Sequence, residues 1–275
     1  MKTPTLTKQE LDQILDKHKL WLSSDGEKGE KANLSYANLS YADLSYTDLS
    51  YANLHYADLS YANLRSADLH RADLSYANLR YAKLSSADLY RADLSYINLY
   101  RATSQNVNLR FADLYSANLR RANLSSADLQ DANLSYINLY RATLYSANLH
   151  NANLHNANLS YADLSYTDLS SANLKSANLN SADLSSADLR SANLRSANLN
   201  CANLDFSAFP LWCGGTDVNI DDKIAIQLLY HFVRNVKSSP YTSKQLKSLC
   251  NMKSIVKQAN KFHRIGECGI ITEDD

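Results

Sequence analysis

Residues 32–51 read ANLSYANLSYADLSYTDLSY, and the same five-residue pattern continues without an insertion to Leu204. Leucine occupies 34 of the 35 positions that recur every five residues from Leu34 onward, and Ser104 is the exception. Alanine stands two residues before this position in 30 units, and asparagine or aspartate stands one residue before it in 32. The unit is therefore Ala, Asn/Asp, Leu and two variable residues.

A period of five fits neither common secondary structure. On an α-helix, five residues rotate by roughly 500°, so successive leucines would scatter around the axis. In a straight strand, side chains alternate with a period of two, so successive leucines would face opposite sides. One turn per unit keeps every leucine inside, and four such turns close a square coil of about twenty residues. The pattern predicts a β-solenoid of between eight and nine coils, with Leu and Ala on the axis.

The run from Ala32 to Leu204 resembles the pentapeptide-repeat family, and the resemblance implies a right-handed quadrilateral β-helix. The flanks, Leu11 to Leu22 and Asp222 to Ile270, resemble those of bacterial and phage members of the family. We expect residues 1–31 to form an N-terminal capping helix and linker, residues 32–206 the solenoid, and residues 207–275 a C-terminal helical segment.

Composition narrows the class of protein further. The chain has 28 Lys+Arg and 28 Asp+Glu, and this balance argues against a generally basic nucleic-acid binder. All six glycines and three prolines lie before residue 32 or after residue 204. Because most turns use these residues, we expect no loop-rich enzyme domain in the repeat region. The N-terminus has no apolar signal core, no apolar run spans a membrane, and four cysteines form no disulfide framework, so we predict a cytoplasmic protein.

Both ends of a solenoid expose apolar core and need caps. Thr7 and Glu10 match a capping box at the start of a helix from about Lys8 to Leu22. At the other end, we expect the last coil to be covered by three aromatic residues: Phe206, Phe209 and Trp212.

The segment from Asp222 to Lys237 is apolar nearly all round, which predicts a buried helix. The C-terminal segment is longer than a minimal cap requires, so self-association through its helices is a second possible use.

A candidate partner surface lies among the outward residues. Tyrosines recur every twenty residues at Tyr36, Tyr56, Tyr76 and Tyr96, and again at Tyr41, Tyr61 and Tyr81. Stacked aromatic residues stabilise β ladders, and tyrosine is also enriched at protein interfaces, so the columns have a structural and a functional interpretation.

An arginine column forms the second part of this surface. Its members are Arg101, Arg121 and Arg141, with Arg80 and Arg120 beside them. The Asn/Asp position of the same face is asparagine seven times in succession, from Asn78 to Asn198. Because like charges about 5 Å apart repel, an anionic partner is one interpretation. The other is a solvated face on which the arginines lie over rings such as Tyr100 and Tyr140.

We expect no catalytic, cofactor or metal site. Aspartates stack on another face, but a convex wall offers no cleft; they are Asp48, Asp68, Asp88, Asp128, Asp168 and Asp188. The C-terminal cysteines and histidines match no close metal-ligand spacing; they are Cys213, His231, Cys250, His263 and Cys268.

The sequence therefore favours a non-enzymatic binding or scaffold module whose partner is another protein, with no membrane or nucleic-acid role. The resemblance also raises an alternative, a DNA mimic that binds a type II topoisomerase, because some family members act in that way through a strongly acidic surface. Residues 32–204 depart from that type, since they carry 14 Asp against 13 Lys+Arg. A local break is expected from Thr103 to Val107, where Ser104 replaces the buried leucine.

Overall fold

A computed structural model describes residues 6–208, 218, 220–238, 243, 247–248, 250 and 253–261. Parallel β-bridges join each five-residue unit to the unit twenty residues later, from Asn33 with Asn53 to Asp188 with Ala208. Each bridge is isolated, so the sides of the coil are too short to count as regular strands. The leucine and alanine positions are buried along the axis. The predicted coil of twenty residues and its filled interior are confirmed.

Four units make one coil, so the solenoid has four walls. Wall 1 contains the unit of Asn33 and every twentieth residue after it. Walls 2, 3 and 4 contain the units of Asn38, Asp43 and Asp48 and their successors. The last residue of each unit lies at the corner between its own wall and the next one. Outward side chains twenty residues apart form a column, and each column lies on one wall or at one corner.

Backbone hydrogen bonds satisfy four of the five N–H groups in a unit, as residues 52–56 illustrate. Ala52 donates to the carbonyl of the preceding leucine (2.9 Å) and closes the turn. Asn53 donates to a carbonyl of the previous coil (2.9 Å), and Leu54 and Tyr56 donate to carbonyls of the next coil (2.7 and 3.1 Å). The N–H of His55, the fourth residue, has no backbone partner in this scheme.

The Asn/Asp side chain supplies the missing acceptor. Asn53 Oδ1 accepts from the N–H of His55 at 3.1 Å, and every one of the 32 units with Asn or Asp makes the same bond. In the described structure the bond is missing only from the units of Lys83, Thr103 and Thr143, which all lie on wall 3. The consensus Asn/Asp is therefore a backbone requirement.

Asparagine has a second role that aspartate cannot share. Its Nδ2 group donates to the side-chain oxygen one coil earlier, as from Asn63 to Asp43 (3.0 Å) and from Asn118 to Asn98 (3.1 Å). Side-chain ladders therefore link neighbouring coils along several walls.

Every corner residue has left-handed backbone geometry. The last residue of all 35 units has a φ between 54° and 63°, and none of them is glycine. This conformation costs an L-residue about 1–2 kcal/mol, and it is accepted because its N–H then donates to the next coil. Turns with this geometry usually use glycine, whereas tyrosine, serine and arginine occupy these corners.

The expected break from Thr103 to Val107 is limited to two missing hydrogen bonds, the side-chain bond to the Gln105 N–H described above and the turn bond of Val107. Thr103 pairs with Lys83 and Asn123, so the register of the coils continues through this unit. The turn bond that measures 2.9–3.1 Å in alanine units is missing between the Val107 N–H and the Ser104 carbonyl, both of which the structure describes. The Ser104 side chain is 4% exposed and occupies the position that leucine fills in the other 34 units.

Branched residues at the alanine position lengthen the turn bond in most units. It measures 3.3 Å in the units of Thr47, Ile137 and Thr167, whereas Ile97 keeps a bond of 3.1 Å, within the range of the alanine units. A branched Cβ crowds the inside of the corner and separates donor from acceptor. Val107 adds this crowding to the neighbouring Ser104.

Helix α1, Lys8–Ser23, begins with the predicted capping box of Thr7 and Glu10. Its apolar face packs against the solenoid core through Leu11, Ile14 and Leu15. The helix therefore covers the apolar opening of the first coil.

A buried histidine joins α1 to the first coil by a hydrogen bond. His18 is fully buried, and its Nδ1 accepts a hydrogen bond from the Ala32 N–H at 3.1 Å. Burial lowers the pKa of His18, so the neutral ring that this bond requires is favoured.

Helix α2, Asp222–Ser238, has two apolar faces. Ile224 belongs to the solenoid core, with Leu228 packed against it. Tyr230 and Val233 belong to a second apolar cluster with helix α3, Lys253–Ala259. Phe232 is 51% exposed, so the helix is not buried all round as its composition suggested.

The expected aromatic lid also needs correction. Phe206 is 72% exposed at a corner, because it occupies the last position of its unit. Phe209 and Trp212 lie outside the described residues. Ile224 of α2 packs against the end of the core instead, and Asp221 accepts a hydrogen bond from the Cys201 N–H at 2.7 Å.

We predict that Thr143→Asn raises the free energy of unfolding by about 1 kcal/mol, because it supplies the acceptor that the Tyr145 N–H lacks. Urea unfolding of the full chain measures the effect. The reverse change, Asn123→Thr in the same column, is the matched control and lowers stability. An unchanged or lower value for Thr143→Asn would show that the side-chain acceptor is not limiting.

We also predict that Ser104→Leu combined with Val107→Ala stabilises the chain by about 1–3 kcal/mol. The new leucine fills the axis, and the alanine relieves the crowded corner. Ser104→Leu alone gains less, since Val107 remains beside it. Thermal unfolding compares the variants, with Leu124→Ser one coil later as a destabilising control. A double variant that melts below the wild type would contradict this explanation.

Candidate partner surface

Wall 2 concentrates the positive charge of the solenoid. Its five arginines are Arg80, Arg101, Arg120, Arg121 and Arg141, and all are exposed. Asp58 is the single carboxylate among the units of this wall. The zero net charge of the chain therefore conceals an uneven distribution between walls.

Two tyrosine rings hold four of these arginines in pairs. The guanidinium carbons of Arg80 and Arg101 lie 5.6 and 5.5 Å from the ring centre of Tyr100. Those of Arg120 and Arg141 lie 5.4 and 5.2 Å from Tyr140. The predicted packing of arginines over these rings is confirmed, and cation–π attraction offsets part of the repulsion within each pair.

The arginines of wall 2 lack carboxylate partners within the described part of the chain. The wall has asparagine at every Asn/Asp position from Asn78 to Asn198, and asparagine carries no charge. On wall 4, two of the four arginines have a carboxylate nearby, since Arg190 pairs with Asp188 at 2.6 Å and Arg110 lies 3.8 Å from Asp128. The arginines of wall 2 thus keep their outward N–H groups available.

The predicted tyrosine columns are stacked rings. Tyr36, Tyr56, Tyr76 and Tyr96 follow one another at 5.2, 4.8 and 4.7 Å along the corner between walls 1 and 2. His55 lies edge-on to this column, 4.4 Å from the Tyr56 ring. Each of the four tyrosines remains 42–51% exposed, so the column is both a stabilising ladder and an accessible surface.

The second column joins the tyrosines to the arginines. Tyr41, Tyr61 and Tyr81 stack at 4.9 and 4.8 Å at the corner between walls 2 and 3. Arg101 continues the column, with its guanidinium 6.0 Å from the Tyr81 ring. The candidate residues therefore lie on wall 2 and its two corners, and the arginines share the face of Asn78 to Asn198 as the sequence predicts.

Other candidate sites remain without a cleft. The stacked aspartates, including Asp68 and Asp88, lie on the convex wall 4. Two open grooves of about 550 and 310 Å³ flank α1, the larger beside Tyr46 and Lys19.

The described residues contain no cluster of His, Cys, Asp or Glu that could hold a metal ion. Of the cysteines and histidines considered for metal binding, only the Cys250 side chain is described; it is buried, and burial raises its pKa. The side chains of Cys213, His231, His263 and Cys268 lie outside the description. None of the described helices is long and apolar enough to cross a membrane.

Comparison with known families gives a specific match. The sequence model described as pentapeptide repeats matches eight copies, over residues 32–71, 67–103, 105–136, 137–175 and 177–209. Between residues 32 and 209, the matched segments leave out only residues 104 and 176. No curated protein sequence matches the chain significantly.

Solved structures of repeat proteins are similar to the chain. HetL from the cyanobacterium Nostoc sp. strain PCC 7120, a pentapeptide repeat protein involved in heterocyst differentiation regulation, is 32% identical; the alignment covers 78% of this chain and 94% of HetL, with a TM-score of 0.35. QnrB1, a plasmid-mediated fluoroquinolone resistance protein, is 16% identical over 64% of this chain and 90% of its own, with a TM-score of 0.39. Rfr23 from the cyanobacterium Cyanothece 51142 is 31% identical. The alignment covers 45% of this chain and 64% of Rfr23, with a TM-score of 0.22.

Proposed function

The chain belongs to the pentapeptide-repeat family, and we propose that it is a non-enzymatic, rigid binding module whose partner is another protein. The proposed contact surface is wall 2 with its two corner columns. It comprises Arg80, Arg101, Arg120, Arg121, Arg141, Tyr36, Tyr56, Tyr76 and Tyr96.

One observation carries this proposal: the five arginines of wall 2 are exposed and have no carboxylate partner among the described residues, and four of them lie over the rings of Tyr100 and Tyr140. Like charges at this spacing repel, and no backbone requirement selects arginine at these positions. Serine occupies the same corner column at Ser181 with the same left-handed geometry. Folding does not explain why arginines cluster here, whereas binding of a partner that neutralises their charge does.

We further propose that the chain has three parts: an N-terminal cap and linker over residues 1–31, the solenoid over residues 32–206, and a C-terminal helical segment over residues 207–275. Because the axis is filled with leucine and alanine, the walls are held at fixed positions. Rigid presentation of side chains lowers the entropy lost on binding.

The alternative of a DNA mimic is less well supported. B-DNA carries one charge per roughly 1.7 Å, so a rod of about 40 Å would present about 24 negative charges. Residues 32–204 have 14 acidic and 13 basic residues, and wall 2 is positively charged. The groove in which a topoisomerase binds the phosphates of DNA is positively charged, so a positive wall would be repelled by it.

The proposal is tested by capturing proteins from a lysate of the source cell on the immobilised full chain. We predict that at least one protein retained by the wild type is lost from the variant Arg101→Ser/Arg121→Ser/Arg141→Ser. The matched control is Arg71→Ser/Arg91→Ser on wall 4, which changes the same corner position and should retain the partner.

Circular dichroism and thermal unfolding establish that both variants fold. Equal capture by the wall 2 variant and the wild type would reject wall 2 as the contact surface. Sedimentation of the same proteins tests self-association through the C-terminal helices. Concentration-dependent dimers that persist in the wall 2 variant would assign that contact to another surface.

A separate prediction concerns DNA gyrase. We expect the purified chain neither to inhibit nor to protect the enzyme at equimolar concentration. A rod without dense negative charge has the shape of DNA but lacks the electrostatic attraction of DNA to the enzyme. A supercoiling assay at several salt concentrations measures this. Inhibition near equimolar protein that weakens with salt would favour the DNA mimic instead.

A further inference from the structure

We infer that wall 2 binds an acidic α-helix of its partner, which lies along the rod axis. This inference rests on the proposed function and specifies the chemistry and shape of the partner. It follows from the charge of the wall, the spacing of its arginine column and the way in which the tyrosines hold the guanidinium groups.

The charge of the wall requires an anionic partner. Arg101, Arg121 and Arg141 occupy successive coils of one column, and Arg80 and Arg120 extend the positive surface sideways. The neighbouring asparagines offer amide groups and no carboxylates between Asn78 and Asn198. A partner with several carboxylates can therefore form charge-assisted, bidentate bonds without displacing an existing ion pair.

The spacing of the column favours a helix. Tyrosines in the same column follow one another at 4.9 and 4.8 Å, so the three arginines that continue it span about 10 Å. Carboxylates at positions i, i+4 and i+7 of an α-helix span about 10.5 Å along its axis. Three residues on the same side of an extended strand span about 13 Å. This length exceeds the span of about 10 Å of the arginine column, so the strand's carboxylates would not all lie opposite an arginine.

The tyrosines also disfavour a single-stranded nucleic acid. Binding of that kind depends on free aromatic faces on which bases stack. Arginines already cover the faces of Tyr100 and Tyr140, and Tyr61 is stacked between its neighbours. The faces of these three rings are in contact with arginine or tyrosine, whereas the guanidinium groups have no carboxylate partner among the described residues.

The neighbouring walls limit the width of the partner. Asp73, Asp93 and Asp113 lie on wall 1, one wall away from the arginines. A duplex would bring phosphates close to these carboxylates, which costs binding energy. A single helix of about 10–12 Å diameter can stay on wall 2.

Fluorescence anisotropy tests the inference with defined probes and the full chain. The first probe is a labelled alanine-based helical peptide of about 20 residues with glutamates at i, i+4 and i+7. The second is an isomer of the same composition whose glutamates are distributed around the helix. The third is a single-stranded oligonucleotide of similar length.

We expect the aligned peptide to bind with an affinity that falls as salt rises, because the contacts are charged. Its affinity should exceed that of the isomer, and it should fall about tenfold or more in Arg101→Ser/Arg121→Ser/Arg141→Ser. The variant Arg71→Ser/Arg91→Ser on wall 4 should bind the aligned peptide as the wild type does.

Equal binding of the two peptides would overturn the helical register, and tighter binding of the oligonucleotide would identify a nucleic-acid surface. If no peptide binds while lysate capture still depends on wall 2, this inference fails and the proposed function stands. If capture is also independent of wall 2, both are wrong.

Discussion

The hydrogen bond from the fourth residue of each unit to the Asn/Asp side chain is the constraint on which the solenoid depends. Bonds between coils satisfy three of the other backbone N–H groups and the turn bond satisfies one, but the fourth residue has no backbone acceptor. Asn53 and its equivalents fill this gap from within the same unit, at about one bond per five residues. A buried, unsatisfied N–H costs about 1–3 kcal/mol, so even a few such losses would matter over so many units.

This division of roles explains why some positions of the unit are nearly invariant and others vary. Leucine and alanine fill the axis, and Asn/Asp completes the backbone bonding. The corner residue contributes its backbone N–H and a left-handed φ, while its side chain points away from the core. Tyr81, Arg101 and Ser181 therefore share one column without altering the coil. The walls can carry different chemistry on the same framework.

Much of this architecture could be predicted from the period of five, because the only economical way to bury every leucine is a turn in each unit. The corner geometry could not, since the usual rule assigns left-handed turns to glycine and the repeat contains none. The exposure of Phe206 was missed for the same reason: its apolar character suggested burial, whereas its position in the unit decided otherwise. The arginine cluster and the asparagines on its face were visible in the sequence, but the pairing of arginines over Tyr100 and Tyr140 required side-chain distances. The two-faced packing of α2 depended on α3, which a helical pattern alone does not reveal.

The unequal distribution of charge among the walls has a consequence for how the rod moves in solution. A molecule with no net charge has no long-range pull toward an anion, yet wall 2 is positive while walls 1 and 4 carry more carboxylates than cations. The solenoid is therefore an electric dipole directed across its long axis. In the field of a negatively charged surface the dipole experiences a torque. The rod then rotates about its axis and presents the positive wall 2 before contact. Orientation of this kind speeds productive encounters without the non-specific adhesion that a high overall charge would bring.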